Sequence, residues 1–126
     1  MARWTLTVRN GPRVERGRFE TLPAALEALE QRLDELAPQA RRDAVQMFKR
    51  RYDPVRQVAV RGEVAGPNRL LPSVRGGVDL RGDGSAEAYT GHWRRALVEL
   101  RPGETPYEGL GRVLGVASGG DLPAPG

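Results

Sequence analysis

The chain contains no cysteine. Disulfides, zinc–thiolate sites and cysteine nucleophiles are therefore excluded together. It has one histidine, His92, so no metal site built on two imidazoles can form. Lysine is as scarce, with Lys49 alone beside nineteen arginines. No apolar run approaches membrane-spanning length, and Met1 to Leu6 lack the apolar stretch of a secretory signal, so a cytoplasmic protein without a membrane partner is expected. No internal repeat is visible, which argues against a solenoid. Walker, RNP and GXXG patterns are missing too, as are zinc-finger and helix-turn-helix signatures.

What remains reads as one small globular domain. Apolar residues make up 39% and charged residues 29% of 126 positions, a balance that supports a core. Net charge is +4, with pI near 10.3. That favours contact with nucleic acid or another polyanion. The arginine bias, with abundant Gly, Pro and Ala, also fits a GC-rich genome. Arginine is nevertheless the better phosphate fork wherever it clusters.

Trp4, Leu6 and Val8 alternate with Thr5, Thr7 and Arg9, the pattern of a half-buried strand. Asn10-Gly11 signals a hairpin turn, with a return strand over Val14 to Glu20. Val14 and Phe19 differ in parity, which suggests a bulge at Gly17. Leu22, Leu26, Leu29, Leu33 and Leu36 form a helical stripe, capped by Thr21 and ended by Pro38. A second helix fits residues 39–52, with Val45, Phe48 and Tyr52 inward and Arg42, Lys49 and Arg50 on its outer flank. Val58, Val60 and Val64 mark a strand. Residues 65–77 read as a glycine- and proline-rich loop.

Val78 and Leu80 lead to a second turn signal at Asp83-Gly84. A strand from Ala86 to about Leu100, bent at Gly91, is preferred over a helix through Trp93, Ala96, Leu97 and Leu100. Thr105-Pro106-Tyr107-Glu108 combines a capping box with proline at the first helical position, opening a helix through Leu110, Val113 and Leu114. Grouped strands imply an α+β fold: a small antiparallel sheet, in the order β-β-α-α-β-β-β-α, with helices packed on one face. Residues 1–116 are expected to form that domain and 117–126 a disordered tail.

Three constellations invite chemistry. Arg75 to Ser85 is rich in glycine and arginine, but a strand and turn explain it better than a phosphate cradle. Glu63, Asp79, Asp83 and Glu87 could converge on Mg²⁺, yet salt-bridge ladders with Arg61, Arg75 and Arg81 are the simpler outcome. His92, beside Tyr89, Trp93, Arg94 and Arg95, is the sole candidate for a base near neutral pH.

Basic groups interleaved with aromatics suit a nucleic-acid surface, because cations hold the backbone while rings stack on bases. The expectation is a non-enzymatic accessory protein needing no cofactor. It would bind RNA or DNA through Arg42, Lys49, Arg50, Arg94 and Arg95, with Tyr89 or Trp93 stacking. The alternative is a protein–protein adaptor or homodimer. A small ribonuclease-like enzyme using His92 stands third.

Overall fold

A computed structural model describes residues 4–48, 58–66, 74–91 and 94–117, with backbone alone for 40–48 and 116–117. The strands are β1 (Trp4–Asn10), β2 (Arg13–Phe19), β3 (Val58–Gly66), β4 (Val74–Arg81), β5 (Ala86–Thr90) and β6 (Ala96–Leu97). The helices are α1 (Leu22–Phe48) and α2 (Pro106–Ala117). All six strands form one antiparallel sheet in the order β2-β1-β3-β4-β5-β6. Both helices pack on the same face, which makes the protein α+β.

Side-chain parity sorts the sheet into a covered and an open face. Trp4, Leu6 and Val8 of β1 point toward the helices, as do Val60 and Val64 of β3 and Val74, Val78 and Leu80 of β4. Leu22, Leu29 and Leu33 of α1 and Leu110 and Leu114 of α2 close this core. Two glycines let the helices approach. A Cβ at Gly62 would collide with the Leu29 side chain, and one at Gly76 would lie 2.8 Å from the Leu110 Cδ1.

Local signals in the sequence account for the boundaries. The Thr21 hydroxyl accepts a hydrogen bond from the Ala24 amide (3.3 Å) and starts α1. At α2 the capping box is complete: the Thr105 amide donates to Glu108 (3.0 Å) and the Glu108 amide to Thr105 Oγ1 (3.1 Å). Gly11 adopts φ +61°, and proline's fixed φ suits the next position, so the first hairpin turns on Gly11-Pro12 rather than on Asn10-Gly11. Gly84, with φ +90°, turns the second hairpin, where Asp83 accepts from both the amide and the hydroxyl of Ser85.

Four expectations are corrected. α1 runs unbroken through Pro38, so the two expected helices are one as far as Phe48. Pro38 is exposed and only the one bond that an amide at 38 would have donated to the Asp34 carbonyl is lost, while helix-forming Ala, Gln and Arg continue the spiral beyond it. Gly17 carries no bulge: β1 and β2 pair in continuous register, and Val14 points to the open face, 44% exposed. The irregularity lies instead between Val58 and Val60.

The supposed loop is also shorter, because β3 extends to Gly66 and β4 begins at Val74. The late strand divides at Gly91 (φ +91°) into β5 and the two-residue β6, and no helix forms over 94–100. Of the expected tail, Ala117 ends α2 and the rest lies outside the described residues. No helix among the described residues is long and apolar enough to cross a membrane.

Candidate nucleic-acid interface

The open face carries the polar parity of every strand. From β2 toward β5 its rows read Val14, Arg9, Arg61, Asp79 and Glu87, then Arg16, Thr7, Glu63, Gly77 and Tyr89, then Arg18, Thr5, Ala65 and Arg75. Charge divides unevenly along these rows.

The β3-β4-β5 side is neutralised by cross-strand pairs. Arg61 grips Asp79 through two bonds, Nε–Oδ1 at 2.6 Å and Nη2–Oδ2 at 3.1 Å. Arg75 reaches Glu63 at 3.2 Å and Arg81 reaches Glu87 at 2.7 Å. Hydrogen bonding to Asp79 holds the Arg61 guanidinium above the usual arginine range. The carboxylates Glu63, Asp79 and Glu87 are thus engaged with arginine. Among the described residues no three His, Asp or Glu side chains gather as a metal site.

Tyr89 is the aromatic centre of this face. Its ring lies over Gly77, where a Cβ would come within 2.7 Å of the phenolic oxygen and would strike the Gly62 carbonyl. The hydroxyl donates to Glu63 at 3.2 Å. Arg95 sits 4.8 Å and Arg61 5.7 Å from the ring centroid, within cation–π range. Burial pushes the phenol well above its ordinary pKa, with the Glu63 charge adding to it. At 2% exposure, with guanidiniums against the ring, Tyr89 has no free face on which a base could stack. Gly76 and Gly77 are accordingly not a phosphate cradle: their space is filled by Leu110 and Leu114 on one side and Tyr89 on the other.

The β1-β2 side differs. Arg9, Arg16 and Arg18 are exposed and have no carboxylate partner among the described residues. Arg9 stands directly across from Arg61, a like-charge pairing that is unfavourable on a sheet unless an anion lies nearby. With Arg61, Arg75, Arg81 and Arg95, these three give the face seven guanidiniums against the carboxylates of Glu63, Asp79 and Glu87. The helical side is its opposite: Glu27, Glu30 and Asp34 line the outer surface of α1.

Of the residues singled out from sequence, Tyr89 and Arg95 come together on the open face, and Arg94 is exposed beside them. Arg42 belongs to α1, on the covered side of the sheet, with its backbone alone described. Lys49, Arg50, His92 and Trp93 lie outside the described residues. Arg9, Arg16 and Arg18 were not among the sequence candidates. Their signal is parity: Arg9 alternates with Leu6 and Val8 on β1, and Arg16 and Arg18 alternate with Gly17 and Phe19 on β2, where the bulge expected at Gly17 obscures it.

Compared with known proteins, the chain matches no family, no curated protein and no solved structure.

Proposed function

We propose that the open sheet face binds nucleic acid by its phosphate backbone, as a non-enzymatic accessory module. The observation that carries this reading is the trio Arg9, Arg16 and Arg18, exposed on one face and lacking carboxylate partners among the described residues. Unpaired guanidiniums are free to form the bidentate, charge-assisted bonds that phosphate accepts. Arg16 and Arg18 stand two strand residues apart, about 6.6 Å, so successive phosphates of an extended strand can meet successive arginines. The acidic α1 surface repels the same ligand and restricts it to one side of the molecule.

Base reading has little place in this mechanism. Tyr89 is roofed by Arg95, and the paired arginines of β3 and β4 are already held by carboxylates. Binding should therefore be tolerant of sequence and steeply dependent on salt. The test is fluorescence anisotropy with single-stranded RNA, single-stranded DNA and duplex DNA over a salt series. Each phosphate contact contributes about 0.7 to the slope of log K against log salt for a single strand. Replacing Arg9, Arg16 and Arg18 by alanine should flatten that slope by about 2. An unchanged slope would remove the trio from the interface.

A further inference from the structure

A groove of about 510 Å³ runs between α1 and α2 on the side away from the sheet. Leu26 and Tyr107 supply its apolar surface, and Glu27, Glu30, Asp34 and Glu108 ring it with carboxylates. Tyr107 is half-buried, and its phenol is pushed up to about 12 chiefly by burial, so it stays neutral. Among the described residues no cation pairs with Glu27, Glu30 or Asp34. Like charges one turn apart on a helix repel each other. On the other flank of α1 the carboxylate Glu35 is satisfied by Arg32, which also binds Glu15 at 2.7 Å. Among the described residues the groove-side carboxylates have no such neighbour.

We propose that this groove receives the β2 arginine row of a second copy of the chain. The two surfaces match in charge and in spacing. Val14, Arg16 and Arg18 share one face of β2 at intervals of about 6.6 Å. Leu26, Glu30 and Asp34 follow one another along α1 at about 6 Å. Laid side by side, Val14, exposed at 44%, meets Leu26 and Tyr107 while Arg16 meets Glu30 and Arg18 meets Asp34. β2 is an edge strand, so its row is reached without moving another element. Direct strand-to-strand pairing of two β2 edges is disfavoured instead. A two-fold arrangement centred on that strand would set Arg16 against its own copy.

The contact joins two different surfaces, so each pair of copies keeps one groove free at one end and one arginine row free at the other, and assembly proceeds head to tail. Self-association would also withhold Arg16 and Arg18 from nucleic acid. That consequence, unlike the assembly itself, rests on the nucleic-acid reading.

The test is sedimentation of the full chain without nucleic acid. At about 0.01 M salt the Debye length is about 30 Å, and at about 1 M it is about 3 Å. The weight-average mass should climb above 13.8 kDa with protein concentration at low salt and return to it at high salt. R16E/R18E and E30R/D34R should each stay monomeric alone and associate when mixed, because reversal on both sides restores the match. Should either reversal lose its helical circular dichroism, R16Q/R18Q and E30Q/D34N read the same loss of assembly. A constant monomer at low salt, assembly that survives either change, or a mixture of folded reversal variants that stays monomeric would overturn the proposal. None of these results depends on whether RNA or DNA binds.

Discussion

Asp79→Asn should weaken the fold and strengthen polyanion binding at once. The Asp79 side chain is 11% exposed and accepts two bonds from Arg61, whose side chain is 30% exposed. A hydrogen bond to a charged group contributes about 1.5–3 kcal/mol net. Breaking a fully buried pair costs about 3–5 kcal/mol. Here Arg61 can recover water, and asparagine keeps one oxygen that still accepts. The cost should therefore be about 2 kcal/mol, equivalent to roughly 8 °C in Tm for a chain of this size. Urea denaturation followed by circular dichroism measures it, with Arg61→Gln and the double variant completing a cycle. A coupling of about 1–2 kcal/mol is expected. Additive effects within about 0.5 kcal/mol would refute the pair as a unit. The same substitution frees Arg61 beside Arg9 and removes a negative charge from the open face. The salt slope for a single strand should steepen by about 0.7. A variant that is less stable and also binds more weakly would contradict this electrostatic account.

Gly77→Ala should destabilise by about 3 kcal/mol, although alanine normally gains about 0.5–1 kcal/mol over glycine in a strand. The obstacles are the Gly62 carbonyl, which is backbone, and the Tyr89 hydroxyl. Gly62→Ala should cost less, because it meets the movable end of Leu29. Thermal melts of the two would decide, and equal stability at Gly77→Ala would place Tyr89 elsewhere. Glu104→Gln should alter the acid limb of stability. Hydrogen bonds from Arg112, then from the Arg101 amide, lower the Glu104 pKa from 4.5 to about 2. A lowered folded pKa stabilises above the unfolded value and loses that contribution as pH falls. The wild-type advantage over Glu104→Gln should be full above pH 4.5 and fade toward pH 2. An advantage that persists undiminished at pH 2 would exclude the ionised pair as its source.

Much of the fold was legible because its signals are local. The alternation from Trp4 to Arg9, the Thr21 cap, the Thr105 box, the Asp83-Gly84 turn and the bend at Gly91 each depend on residues close in sequence. The errors came where a distant partner decides the outcome. Gly76 and Gly77 look like loop residues until Leu110, Leu114 and Tyr89 occupy the volume their side chains would need. Pro38 looks like a helix terminator, yet α1 continues past it with the proline facing solvent. The site was harder still. Basic residues clustered in sequence, such as Arg41-Arg42 and Arg94-Arg95, are visible in the chain itself, whereas Arg9, Arg16 and Arg18 alternate with core and small residues across a hairpin. They become a surface only when β1 and β2 pair in register. Which arginines stay free depends on carboxylates 12 to 18 residues away, as in Arg75–Glu63 and Arg61–Asp79.

The most direct measurement is an amide-resolved NMR titration of the full chain with a single-stranded oligonucleotide. At a protein concentration where the chain sediments as a monomer, the account predicts shifts concentrated at Thr5, Thr7, Arg9, Arg16, Arg18 and Arg61, with Glu27, Glu30 and Asp34 of α1 unmoved. Shifts clustered on the helices, or none at any concentration, would contradict it.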